Sequence, residues 1–268
     1  MDVERLSLAQ RVALLSDEEQ LEFFQDFSED DFANLEHDWS FWARPDQIIS
    51  DDPYIPIQLY LTGRGWGKTR AAAEWIRQQV KNHPGCSIAV AGRTAKDVRD
   101  VFVLGESGIM NVCTEEEKPV HRPSEARLVW PQYENAQVFL YSAESPEAPR
   151  GNQFNYYLLD EYASHTPFRG TDGATCAENI MIATRLGDNP YGVITTTPRR
   201  VQHIKDLLDR AKKTGDVRVV YGKTSDNTAL SRQYLTQITA MLGDNERLRQ
   251  QELDGVMLDA DTVGALWS

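Results

Sequence analysis

The sequence predicts an α/β domain built on a mostly parallel sheet flanked by helices, with a small helical appendage before it and a lid or linker segment after it. Short apolar runs at 57–61, 87–91, 136–142, 155–159, 191–196 and 217–221 alternate with helical segments at 67–82, 94–105, 173–186 and 201–213. Strands buried on both faces read as continuous apolar runs, and the helices between them supply the crossovers that parallel pairing requires. A glycine-rich stretch joins the first strand to the first helix, and two acids close the run at 155–159.

Taken in order, the first 40 or so residues read as two or three short helices. Ser16 is an N-cap with Asp17, Glu18 and Glu19 in the first turn, and Leu21, Phe23, Phe24 and Phe27 supply an apolar stripe. Trp39 to Gln47 and a Pro/Asp-rich stretch (Asp51, Asp52, Pro53, Pro56) lead into the first core strand. Residues 106–135, rich in Pro and Glu, form an excursion with one short strand at 127–130. Helices at 231–242 and 244–253 end the pattern. The expected division is an acidic appendage at 1–53, a core at 54–230 and a lid or linker segment at 231–268.

At 268 residues the chain is long enough for one large domain with accessories. No run of 18 apolar residues appears, so no membrane span is expected. Met1-Asp2-Val3-Glu4 lacks the basic and apolar regions of a secretory signal. Cys86, Cys113 and Cys176 have no metal-like spacing and read as reduced cytosolic thiols. The net charge of −13 is unevenly spread: residues 1–53 hold 3 Lys/Arg against 15 Asp/Glu. Residues 199–223 reverse the balance, with eight basic residues against Asp206, Asp209 and Asp216. Such a segment can follow a phosphate backbone or simply form a solvated helix face.

Thr62-Gly63-Arg64-Gly65-Trp66-Gly67-Lys68-Thr69 follows an apolar strand and opens a run of helix formers. That order is the strand, loop and helix of a P-loop. Glycines let backbone N–H groups turn around a phosphate, and the helix N-terminus adds partial positive charge. Lys68 can reach the β- and γ-phosphates and the Thr69 hydroxyl can ligate Mg²⁺. Thr62 stands where the first glycine of G-x-x-x-x-G-K-[ST] is usual. A nucleoside triphosphate is the expected ligand.

Tyr156-Tyr157-Leu158-Leu159-Asp160-Glu161 supplies the other half of the site. Asp160 can hold Mg²⁺ directly or through water, and Glu161 can polarise an attacking water. A glutamate in that place suits hydrolysis, whereas a phosphotransferase must exclude water. Arg150, ten residues before Asp160, lies on a Pro-flanked loop. It reads either as a guanidinium offered to a γ-phosphate or as an ordinary surface arginine. Thr195, Thr196 and Thr197 end the strand at 191–196 before Pro198. Hydroxyls there face the crevice where such sheets bind ligand, although threonine also favours strands for its shape alone.

In order, these segments resemble the ATPase domain of the tailed-phage terminase large subunit, an ASCE/RecA-like P-loop NTPase. The resemblance runs through Ala43-Arg44-Pro45-Asp46-Gln47, Gly63 to Thr69, Trp130-Pro131, Ser142 to Glu147, Arg150-Gly151, Leu159-Asp160-Glu161, Arg185-Leu186-Gly187, Thr195 to Pro198 and Arg249 to Gly255. It implies that Gln47 reads adenine, that Arg64 senses or positions the γ-phosphate, and that Arg150 is an arginine finger acting in trans. It implies that Thr195–Thr197 couple hydrolysis to movement and that 231–260 form the lid-like end of the domain. ATP and Mg²⁺ are the implied cofactors. Double-stranded DNA held by its backbone, a ring of identical subunits, the portal protein and the small terminase subunit are the implied partners. The implied location is the host cytoplasm. Family members continue into an RNase H-like nuclease. Asp254, Asp259 and Asp261 are too few and too terminal to replace it, so a truncated form or fragment without nuclease activity is expected. Two other readings compete: a superfamily 2-type helicase or translocase, and a nucleotide-dependent assembly protein that does not hydrolyse.

Overall fold

The computed structural model describes residues 3–165, 167–243 and 245–257. Eight strands form one sheet in the order β3-β4-β5-β2-β6-β7-β1-β8. They are β1 (Ile57–Thr62), β2 (Ser87–Gly92), β3 (Val120–Arg122), β4 (Arg127–Trp130), β5 (Ala136–Ser142), β6 (Tyr156–Leu159), β7 (Tyr191–Thr196) and β8 (Val217–Gly222). The six strands from β5 to β8 in that order pair in parallel, while β3 and β4 form an antiparallel edge beside β5.

The expected mostly parallel sheet is therefore present, with a hairpin where one strand was expected. Val120–Arg122 pairs antiparallel with Arg127–Trp130 across a short turn in which Ala126 takes a positive φ. Three residues with two exposed positions carry too little apolar signal to stand out in sequence.

Side-chain alternation splits the core between the two faces of the sheet. Tyr60, Ile88, Val90, Leu158 and Val193 face the helix Lys68–Asn82, which buries Ala72, Ala73, Trp75, Ile76 and Val80 against them. Leu59, Leu61, Ala89, Ala91, Leu159 and Ile194 face the opposite layer, where Cys176 to Ala183 and Gln202 to Thr214 bury Ile180, Ile204 and Leu207. The segment expected as a helix at 94–105 starts as an α-turn at Ala95–Asp97 and continues as a π-helical stretch over Val98–Val103.

The appendage holds more helices than expected: Leu8–Val12, Asp17–Phe24, Glu29–Glu36 and Trp39–Trp42. Ser7, Ser16 and Ser28 each close a reciprocal capping box, satisfying orphan N–H groups that short helices cannot pair internally. The apolar stripe is only partly realised. Phe23, Phe24 and Phe27 cluster with Phe32, but Leu21 is 74% exposed. The helices Asp17–Phe24 and Glu29–Glu36 have no buried residue, so these rings pack mainly on one another.

Candidate nucleotide site

Register brings the functional strand ends together. β7 lies between β1 and β6, with Ile194 opposite both Leu59 and Leu159. The loop after β1, the acids after β6 and the threonines ending β7 thus emerge side by side at one edge of the sheet. That edge is the C-terminal end of the parallel strands, where open α/β sheets take their ligands.

Thr62 is the last residue of β1, and its carbonyl already belongs to the site. Gly65 and Gly67 have φ values of 75° and 105°, which lets the loop wrap tightly before the helix begins at Lys68. Trp66 points away from the loop and is fully buried, so close to Gly222 that a Cβ there would lie 2.0 Å from its indole nitrogen. Thr69 sits half-buried in the first helical turn.

Lys68 is buried at 7% exposure, and its Nζ donates to the carbonyls of Thr62 and Gly63 at 3.2 Å each and to Thr197 Oγ1 at 3.3 Å. Glu161 Oε1 lies 3.8 Å away. Burial lowers the Lys68 pKa, and the nearby Glu161 and Asp160 charges oppose that shift. Burial pushes the Asp160 carboxyl up to about 6, with the Glu161 charge adding to the effect. Glu161 adopts the left-handed conformation at φ 48°, which turns the chain sharply as it leaves β6.

The three threonines hold three different parts of this turn. Thr195 Oγ1 donates to Asp160 Oδ1 at 2.6 Å. Thr196 Oγ1 accepts the Ala163 N–H at 3.1 Å. Thr197 donates to Glu161 through its N–H at 3.3 Å and its hydroxyl at 3.5 Å. Each hydroxyl is thus engaged by the acids or by the backbone beside them.

Gln47 is buried beside the loop: its Nε2 would be 2.6 Å from a Cβ at Gly67, while its Oε1 accepts the Arg44 N–H. Arg64 pairs with Glu252 at 3.0 Å, and its N–H donates to the Glu252 carbonyl at 2.7 Å. Segment 231–257 therefore reaches back onto the P-loop through the helix Glu246–Glu252. Arg150 stands apart. Its side chain is 47% exposed, and its ion-pair partners are Asp172 at 3.3 Å and Glu147 at 4.0 Å.

A cleft of about 250 Å³ is lined by Arg64, Asp160, Glu161 and Thr197 together with Arg93, Arg199 and apolar residues from 90–102. Two of these cations were missed as site residues. Arg199 was counted only in the basic segment, although its position right after the Thr-Pro strand end was the available signal. Arg93 follows β2, and nothing in the sequence singled it out. His165 was also missed. Its Nε2–H donates to the Asp160 carbonyl at 2.9 Å, and burial pushes its pKa down to about 4. Asp259 and Asp261 lie outside the described residues. Among the described residues, no group of three or more His, Cys, Asp or Glu side chains is placed to hold a metal.

With this geometry in view, residues 59–268 match the model of one family, the terminase large subunit, T4likevirus-type, N-terminal. The chain belongs to that family. No curated protein sequence matches it. Solved structures share the fold at low identity. The ATPase domain of the large terminase of Thermus phage P74-26 superposes with a TM-score of 0.61 at 14% identity, covering 86% of this chain and 98% of that one. The large terminase of another thermophilic bacteriophage gives 0.63 at 14% identity, covering 86% of this chain and 54% of its own. The large terminase of bacteriophage HK97 gives 0.58 at 16%, covering 79% and 48%. The chain thus spans about half the length of these last two proteins. The second of the three has been solved with ADP and with ATP-γ-S. Among the described residues, no helix is long and apolar enough to cross a membrane.

Proposed function

We propose that this terminase chain is an ATP-hydrolysing motor domain that drives double-stranded viral DNA into a procapsid. The support is one cluster in which Lys68, Asp160, Glu161 and Thr195–Thr197 meet at the ends of three adjacent parallel strands. Family membership favours the packaging motor over a helicase, and a glutamate beside the cleft favours hydrolysis over a non-hydrolysing assembly role.

ATP would sit on residues 62–69, with Gln47 placed for the base and Lys68 for the β- and γ-phosphates. Asp160 is a buried carboxylate beside Glu161, and its burial together with that second negative charge makes the pair a hard-oxygen site that a divalent cation suits. Thr69 and Asp160 would hold Mg²⁺, which would neutralise phosphate charge when bound. Glu161, fixed by Thr197, would orient and deprotonate the attacking water. Arg64 would exchange Glu252 for a γ-phosphate. Arg150 would act on the site of a neighbouring subunit in a ring, stabilising transition-state charge. Loss of the γ-phosphate would reach the DNA grip through Arg64 and Thr195–Thr197. Packing genomes of any sequence calls for phosphate-backbone contacts and steep salt dependence. The portal protein and the small terminase subunit are the proposed partners and the host cytoplasm the proposed location. The proposed division remains 1–53, 54–230 and 231–268, the last reaching beyond the described residues.

Glu161→Gln tests the hydrolytic assignment. ATP binding should persist while kcat falls by about 10²–10⁴, the usual range for a lost general base. Full turnover by that variant would remove Glu161 as the base, and unaltered ATP binding by Lys68→Ala would remove the site.

A further inference from the structure

Five consecutive carbonyls of the P-loop are held by side-chain donors. Lys68 takes those of Thr62 and Gly63. The next three are held from outside the loop. Thr224 Oγ1 donates to the Arg64 carbonyl at 2.6 Å, Asn227 Nδ2 to the Gly65 carbonyl at 2.7 Å, and Arg44 Nη2 to the Trp66 carbonyl at 2.9 Å. Arg44 is 5% exposed and lies over the Trp66 ring, 4.9 Å from its centroid. Arg44 also lines one small cavity with Ser225, Asp226 and Thr228, the chain neighbours of Thr224 and Asn227.

In a trans peptide the carbonyl and the following N–H point in opposite directions. An anchor on the Arg64 carbonyl therefore turns the Gly65 N–H away from it. Arg44 does the same for the Gly67 N–H, and Asn227 for the Trp66 N–H, which reaches back to the Gly63 carbonyl at 3.3 Å. Glycine peptides flip readily because no Cβ opposes either orientation. A loop built from Gly63, Gly65 and Gly67 needs such restraint if its N–H groups are to face a phosphate before one arrives.

We propose that Thr224, Asn227 and Arg44 are positioning residues that preorganise the phosphate-binding N–H groups of the P-loop by fixing its carbonyls from behind. This rests on the nucleotide site proposed above. Thr224 and Asn227 lie just after β8 at the end of the core and Arg44 lies in the appendage, so two distant parts of the chain act on the same peptides.

The test is ADP affinity, measured with a fluorescent ADP analogue, for Thr224→Val, Thr224→Ser and Asn227→Leu, with Lys68→Ala as the control and thermal midpoints recorded throughout. Thr224→Val and Asn227→Leu should each weaken ADP binding by roughly three- to tenfold, the value of one hydrogen bond, at an unchanged midpoint. Thr224→Ser, which keeps the hydroxyl, should restore the affinity. Parent-like affinity in both Thr224→Val and Asn227→Leu would overturn the inference. Equal loss in Thr224→Ser and Thr224→Val would also overturn it, since packing and not the donor would then matter. If Lys68→Ala abolishes binding while the anchors have no effect, the inference fails alone. If Lys68→Ala binds normally, the site itself fails and takes the inference with it.

Discussion

Lys68 and Arg150 are two cations proposed to act on nucleotide phosphates, and their surroundings differ. Lys68 is buried, held by two backbone carbonyls and a threonine, with both acids of the site beside it. Arg150 lies on the loop after β5, half-exposed, paired with Asp172 and Glu147. Backbone carbonyls fix Lys68 within one subunit. Exposed ion pairs like those of Arg150 contribute about 0–1 kcal/mol, so a better anion displaces them readily. The groups carried by the sheet are assembled in advance, whereas Arg150 is held at the surface by exchangeable pairs, which leaves it free for the role proposed for it in a neighbouring subunit.

Arg150→Ala puts the greatest strain on that comparison. If the loop completes a neighbour's site, turnover per subunit should fall by about 10³–10⁵ while ATP affinity holds. The parent rate should climb with protein concentration. A flat rate, untouched by the mutation, would mean a self-contained site in which Arg150 has no part.

Thr197→Val sharpens the preassembled half. It removes the hydroxyl that touches both Lys68 and Glu161, and kcat should drop by about tenfold, the worth of one hydrogen bond in the transition state. Thr197→Ser should recover most of the rate. If both variants lose activity equally, the side chain serves packing.

The last effect is on stability and leaves the rate aside. Burial raises the Asp160 pKa from 3.8 to about 6, so the folded chain binds this proton more tightly than the unfolded chain does. Stability from this group falls as pH rises between those values, and the full penalty stands above the upper one. Metal-free Asp160→Asn should therefore be more stable than its parent at neutral pH, by at most about 3 kcal/mol. The gain should vanish toward the lower value. His165 works in the opposite sense, its pKa held down to about 4 by burial, so its contribution is lost as pH falls from 6.5 to 4. Both proteins carry His165, so it cancels in the difference between their denaturation curves. A gain independent of pH would show that Asp160 is not the strained group.

How much of this was legible in the sequence follows from where each signal resides. Glycines at 63, 65 and 67, the Lys68-Thr69 pair and the acids after Leu159 are local signals, since each residue type is demanded by backbone geometry or charge at its own position. The strands near 57, 87, 136, 156, 191 and 217 were equally plain, because burial on both faces forces continuous apolar runs. The hairpin strand Val120–Arg122 was too short and exposed to announce itself. Leu21 fitted a stripe by spacing, but no neighbouring surface covers it.

The sequence by itself therefore determined the fold class, the order of elements and the glycine-rich loop that joins β1 to its helix. Tertiary structure alone decided that β7 lies between β1 and β6, which brings Thr195 to Asp160 and Thr197 to Lys68 and Glu161. It also decided that Arg64 meets Glu252, 188 residues away, and that Thr224 and Asn227 reach the P-loop carbonyls across 160 and 162 residues. Such contacts depend on strand order and chain reversal, and no periodicity or spacing within one segment encodes which distant side chain a backbone carbonyl will meet.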